Sequence, residues 1–293
     1  MKAFRKIQLT ALCALPLLAG CGGTGTAPAE NLPLAADADS IAEGVSTLSR
    51  DGATLAWIQD NGQERLMERS LFPSASDSLI DALGLADGVP SSVSTFVLRT
   101  DSATVLFDTG LGAPDSRLLR GLQALGLRPA DVDYLFLTHF HGDHIGGMMQ
   151  GDSVTFPRAQ VYASRVEYEA WMNMPAEQKA LAERTMQAYT DRLHLFEPGD
   201  TLPCGVATFD ASGHTPGHTV YRTGPFLVAG DLMHGAALQL PHPEVSATYD
   251  MDPEKAAATR RHFLKYAQDE GLVLAGMHLP RPAFLDFGTP AGH

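Results

Sequence analysis

Short apolar runs, separated by polar turns that carry glycine or proline, set the rhythm of this chain. Residues 53–58, 94–99, 104–107, 134–137, 226–229 and 272–275 alternate or run continuously apolar, as strands do. Residues 161–163, after Phe156-Pro157, add one more short strand. Helical spacing runs over 116–125 and over 175–192, with Pro175 near the first turn. It is clearest over 252–271, where Asp252-Pro253-Glu254 puts an N-cap carboxylate ahead of a proline. Residues 66–90 are irregular, with Pro73, Gly84, Gly88 and Pro90. A connection that long is usually functional, and a short helix is expected in it near 78–83. The folded part is read as about residues 45–287.

Chemistry is concentrated where these runs end. After 134–137 comes His139-Phe140-His141-Gly142-Asp143-His144, with four metal-capable side chains in six residues, and then Gly146-Gly147. A strand end is a rigid mount, and the glycine-bearing loop after it lets ligands converge. His139 and His141 alternate and can point at one metal, while Asp143 and His144 can turn toward a second. Packing gives no reason for the cluster, because each buried imidazole or carboxylate must find a partner. Three later segments repeat the device. Ser212-Gly213-His214-Thr215-Pro216-Gly217-His218-Thr219 is a turn bearing two histidines. The run 226–229 leads into Gly230-Asp231, and the run 272–275 into Gly276-Met277-His278. α/β sheets generally place their sites at such C-terminal strand ends.

On these residues the chain resembles the metallo-β-lactamase superfamily, whose HxHxDH signature stands here as His139, His141, Asp143 and His144. The resemblance implies an α/β fold, an αββα sandwich with the metals at one sheet edge. It implies that His139, His141 and His218 bind a first metal and that Asp143, His144 and His278 bind a second, with Asp231 as the bridge. Asp108, in Asp108-Thr109-Gly110, matches an aspartate that supports the ligands from behind. His214 reads as a support for the ligand turn rather than a ligand. His234 reads either as a pocket or supporting residue or as a satisfied polar group. His194, His242, His262 and His293 look ordinary. Imidazole and carboxylate donors without thiolate suit two zinc ions, and also iron, manganese or cobalt. Two such metals could share a hydroxide, the expected nucleophile, and stabilise the developing oxyanion. Asp143 and Asp231 are the candidate catalytic groups for the proton step.

Charge and leader narrow the partners. A formal net charge of −13 with no basic patch excludes nucleic acid as an expected partner. Arg260-Arg261, an adjacent basic pair, reads as a solvated helix face. Lys2, Arg5 and Lys6 precede an apolar segment over 7–18 that is too short to span a bilayer. Leu18-Ala19-Gly20-Cys21 resembles the lipobox of bacterial lipoproteins, which implies lipidation of Cys21. The expected division is a signal peptide over 1–20, a flexible tether over 21–43 and a hydrolase domain over 44–293. The protein is then exported and lipid-anchored to a bacterial membrane, facing the periplasm. Cys13 leaves with the signal, so Cys204 has no partner for an internal disulfide.

Substrate classes follow by exclusion and by likeness. Asp231 stands where the main antibiotic-degrading β-lactamases carry a zinc-binding cysteine, which argues against that activity. Acidity argues against nucleases. A glyoxalase II role shares the ligand set but fits poorly with export. Gly230-Asp231-Leu232-Met233-His234, Gln239, Pro241, Pro243-Glu244-Val245, Asp250-Met251-Asp252 and Gly276-Met277-His278-Leu279-Pro280 resemble methyl parathion hydrolase-like proteins near the lactonase branch. That likeness implies a dinuclear hydrolase of esters, lactones or phosphotriesters with an apolar pocket. Phe72, Phe140, Met148, Trp171, Met233 and Phe284 are the pocket candidates, with ordinary core as the alternative for each. Arg281 could meet an anionic substrate group. Two alternatives remain open, a mononuclear iron oxidoreductase of the same fold and a non-catalytic binding lipoprotein.

Overall fold

In the computed structural model, residues 32–63 and 65–288 are described. The apolar runs form strands because they are buried on both faces. Along Ala53–Gln59, Leu55 and Trp57 enter one core while Ala56 and Ile58 enter another. Along Ser94–Arg99, Phe96 and Leu98 part from Val97 in the same way. In Thr104–Phe107 it is Val105 and Phe107 that part from Leu106. The two-residue period of a strand thus sorts an unbroken apolar run into two cores.

The first sheet has eight strands. In spatial order they are Asp39–Ala42, Val45–Arg50, Ala53–Gln59, Ser94–Arg99, Thr104–Phe107, Tyr134–Phe136, Gln160–Ser164 and Leu193–Phe196. The second has six: Thr201–Leu202, Val206–Asp210, Thr219–Thr223, Phe226–Val228, Val273–Ala275 and Phe284–Asp286. One core lies between the sheets, with Trp57, Phe107 and Phe136 meeting Tyr221, Phe226 and Phe284. Helices Leu118–Ala124, Arg165–Met172 and Ala176–Ala188 seal the outer face of the first sheet over the second core. Helix Pro253–Asp269 lays Phe263, Leu264 and Ala267 against the second sheet. The layers are therefore helix, sheet, sheet, helix, the expected sandwich.

Strand direction positions the site. Most pairings are antiparallel, but Thr104–Phe107 runs parallel to Tyr134–Phe136, and Phe226–Val228 runs parallel to Val273–Ala275. Parallel neighbours end at the same edge of a sheet. Asp108 and the tetrad therefore leave the first sheet together, and Asp231 and His278 leave the second together. The turn over 211–218 joins Val206–Asp210 to Thr219–Thr223 at that same edge, since Thr219 is bonded to Thr138.

Two expectations are corrected. Part of the tether belongs to the fold: Leu34 bridges Leu285, Ala35 is buried, and Asp39–Ala42 pairs with Val45–Arg50. The expected signal peptide and Cys21 lie outside the described residues. Arg260 is not on a solvated face, being fully buried and donating to Leu232 O, Pro243 O, Val245 O and Asp250 Oδ2. The irregular stretch 66–90 has a small core of its own, where Phe72, Ile80, Leu85 and Val89 pack with Leu238 and Val245. The helix expected there is Asp77–Ala82, capped by Ser76 accepting from Leu79 N at 3.2 Å.

Candidate metal centre

Asp108 anchors the centre from below. It accepts from Thr138 N at 2.8 Å, from Thr138 Oγ1 at 2.7 Å and from His144 Nδ1 at 2.7 Å. Since the Thr138 hydroxyl proton goes to Asp108, its oxygen accepts from His139 Nδ1 at 3.0 Å. His214 Nδ1 donates to Asp250 Oδ1 at 3.0 Å, and His278 Nδ1 donates to Ser92 O at 2.7 Å. Each of these contacts fixes the tautomer and leaves an Nε2 lone pair aimed inward.

The inward atoms form two sets. His139 Nε2, His141 Nδ1 and His214 Nε2 lie 3.0, 2.9 and 3.2 Å from one another. A tetrahedral cation with bonds of ~2.0–2.1 Å holds its ligands about 3.3 Å apart, close to these spacings. Asp143, His144 and His278 make the second set. His278 Nε2 is 3.5 Å from Asp143 Oδ2, and His144 Nε2 is 3.8 Å from Asp143 Oδ1. Asp231 stands between them, with Oδ1 3.1 Å from His144 Nε2 and Oδ2 3.0 Å from His278 Nε2 and 3.3 Å from His214 Nε2. Lone pairs and carboxylates at such distances repel unless a cation, a proton or a metal, lies among them. The donor chemistry fits a divalent metal.

In the metal-free chain, burial and neighbouring charges push these groups in opposite directions. Burial holds His139 well below the ordinary imidazole range and His141 at about 3. Burial also presses on His214, but its bonds to Asp231 and Asp250 carry it up to about 9. His144 is likewise pressed down by burial, yet Asp231, Asp108 and Asp143 together lift it well above. Asp231 is opposed by its own burial and is still held well below the usual carboxylate range by His144, His278 and His139.

One ligand assignment changes. His218, expected on the first metal, is turned away from it. Its Nδ1 donates to Ala211 O at 3.1 Å and its Nε2 accepts from Asp231 N at 3.0 Å, so both nitrogens are engaged by backbone. Gly230 permits this approach. It sits at φ 52°, and a Cβ there would lie 2.4 Å from His218 Nε2. His214, expected as a support, joins His139 and His141 in that donor cluster instead. His234 lies at the rim of the centre, stacked on His278 at 5.2 Å. Its Nε2 is 3.3 Å from Asp231 Oδ2 without hydrogen-bond alignment, and among the described residues neither ring nitrogen has a hydrogen-bond partner.

A cleft of about 520 Å³ opens over Asp143, Asp231, His141, His234 and His278. The expected pocket residues do not line it. Phe140, Met148 and Trp171 are packed beneath the first sheet's helices, Met233 and Phe284 between the sheets, and Phe72 in the small core. Arg281 lies elsewhere, donating to Gln59 Oε1 at 3.1 Å beside the Trp57 ring. The walls come instead from Arg65, Met67, Ser91, Leu111, Leu181 and Tyr249. Three of these flank or begin the irregular stretch 66–90, whose length was the sequence signal for them. Glu167, a buried carboxylate that joins the ligand loops, was also missed.

Comparison with known proteins agrees with this geometry. Residues 88–278 match the family model described as the metallo-beta-lactamase superfamily. A probable metallo-hydrolase of Mycobacterium tuberculosis is 27% identical over 168 residues, 45% of this chain and 53% of that protein. A hydroxyacylglutathione hydrolase of Edwardsiella ictaluri is 26% identical over 152 residues, 51% of each. The chain thus spans about half the length of these curated relatives. Among solved structures, the hydrolase AbOPH superposes with a TM-score of 0.74 at 27% identity, over 82% of this chain and 92% of that one. AidC, described as a dizinc quorum-quenching lactonase in complex with a product, gives 0.74 at 26% identity over the same shares. Fold, donor set and likeness agree: the chain belongs to the metallo-beta-lactamase superfamily.

Proposed function

We propose that this protein is a hydrolase that holds two zinc ions and cleaves esters bearing an apolar group, lactones foremost. One observation carries the two-cation reading. Asp231 turns one carboxylate oxygen to His144 and the other to His278 and His214, so a single side chain serves both donor sets. His139, His141, His214 and Asp231 would hold one ion, and Asp143, His144, His278 and Asp231 the other. When bound, such ions supply Lewis acidity, acidifying water and polarising the carbonyl.

The chain's own groups supply the rest. Asp143 is the carboxylate open to the cleft, its side chain 25% exposed against 2% for Asp231. Burial pushes it up, but His144 and His278 hold it below the usual range, so it begins as a base. It takes the proton of the incoming water and returns it to the leaving oxygen as the carbon–oxygen bond breaks. His234 lines the cleft beside Asp231 and is the side chain that would hydrogen-bond an ester oxygen. Met67, Leu111, Leu181 and Tyr249 shield the apolar part of the substrate from water. The likeness to a dizinc lactonase supports the lactone class.

The test is metal quantification on protein purified without residues 1–21, followed by hydrolysis of lactones, aryl esters and phosphotriesters. Two equivalents of zinc and turnover abolished in His141→Ala and Asp231→Ala are expected. A single equivalent of iron, or turnover unchanged in both variants, overturns the reading. Export and lipid anchoring through Cys21 belong to the same proposal.

A further inference from the structure

We propose that Glu167 is a positioning residue for the metal centre: its carboxylate fixes the spacing between the loop carrying His139 and His141 and the turn carrying His214. The inference rests on the metal-centre reading above. Glu167 sits on helix Arg165–Met172 and is 1% exposed. Its Oε1 accepts from Phe140 N at 3.0 Å and from Trp171 Nε1 at 2.6 Å. Its Oε2 accepts from Thr215 Oγ1 and Gly217 N, both at 2.8 Å.

The placement of these donors gives the contacts their meaning. Phe140 lies between the two ligands His139 and His141. Thr215 directly follows the ligand His214. One buried carboxylate therefore bonds the backbone within one residue of one ligand pair and a side chain adjacent to the third. Close approach reinforces the brace, since a Cβ at Gly217 would lie 2.2 Å from Glu167 N. Trp171, held through its indole N–H, packs edge-on against the His141 ring at 5.7 Å. Asp143, His144 and His278 donate no hydrogen bond to Glu167. The brace thus serves one donor set and not the other. Burial raises the Glu167 pKa against the pull of its four hydrogen bonds. All four of its hydrogen-bond partners are donors, which a carboxylate can satisfy in full and an amide cannot.

Glu167→Gln keeps the shape but turns an NH2 group toward two of those donors. Zinc binding is measured on metal-stripped protein by competition with a chromogenic chelator, beside Asp143→Asn as the control for the other set. In Glu167→Gln one zinc equivalent is expected to weaken by about 10- to 100-fold, as for other residues behind metal ligands, with the second equivalent unchanged. Asp143→Asn weakens the other equivalent, and the double variant weakens both. If Glu167→Gln does not fold, Thr215→Val removes one donor from the brace and is expected to weaken the same equivalent by a smaller factor. The proposal is overturned if both equivalents keep wild-type affinity, or if both weaken equally as the melting temperature falls. Failure of the wild-type protein to bind zinc overturns the metal-centre reading instead.

Discussion

At the scale of single residues, the sharpest lesson is the pair His214 and His218. Both sit in one glycine- and proline-rich turn, four positions apart, and either could face a metal. Spacing could not choose between them. The choice is made by Asp250, which receives His214 Nδ1, and by the Ala211 carbonyl and Asp231 amide, which engage both nitrogens of His218. His214→Ala should lose one equivalent of bound metal. His218→Ala should keep both yet melt earlier, because each buried group left unpaired costs about 1–3 kcal/mol. Metal content and melting curves of the two variants check this. The tetrad was legible because no fold needs such clustered donors for packing, and Asp231 and His278 because each ends an apolar run and matches the family pattern. The cleft walls were not, since nothing in their sequence marks Leu111, Leu181 or Tyr249 as exposed to a substrate. pH dependence belongs to this scale too. A raised His214 stabilises the metal-free fold below its ordinary 6.5, and that stabilisation is lost as pH rises through about 9. Lowered His141 and His218 work the other way: their contribution holds above 6.5 and is lost as pH falls toward about 3. Metal-stripped protein should therefore melt highest near pH 6.5, and a thermal series across pH measures it.

At the scale of elements, strand runs were legible because burial on both faces leaves no polar interruption. Helix Pro253–Asp269 was legible through its Asp252 cap, which accepts from Lys255 N at 3.0 Å. Helix Arg165–Met172 was not, because the residues it buries are Glu167 and Trp171 rather than an apolar stripe. Arg260 hid for a related reason. A charged residue on a helix reads as solvated until its partners are known. Here Arg260 ties the segment 232–250 to the helix and backs Asp250, which in turn holds His214. The same helix start is bonded to the ligand turn, through Asp252 N to Gly213 O at 2.9 Å. Arg260→Leu leaves Asp250 without its guanidinium partner, and removing one partner of a buried ion pair costs about 3–5 kcal/mol. Its melting temperature should drop sharply, and the His214 metal equivalent should weaken with it.

At the scale of the whole molecule, two sheets from separate halves of the chain each present a parallel strand pair to a common edge. The centre exists only where those edges meet, so it is a property of the closed sandwich. That convergence could not be computed from local pattern and entered only through family likeness. Membrane attachment is also a whole-molecule property. Among the described residues no helix is long and apolar enough to cross a bilayer. If lipid on Cys21 holds the protein, Cys21→Ser should move it from the membrane to the soluble fraction, which fractionation of expressing cells reads out.

The stretch that was expected to be a free tether joins the body at Leu34, bridged to Leu285 at the rim of the second sheet, and continues into Asp39–Ala42 at the rim of the first. It is a strap fastened to both halves. A lipid on Cys21, thirteen positions before Leu34, would leave at most about 45 Å of chain between membrane and fold. A shortened protein that starts at Val45 would lose the strap, bare a sheet edge and invite strand-to-strand association between molecules. Light scattering on that version, beside one that starts at Leu32, should find the shorter one clumping first.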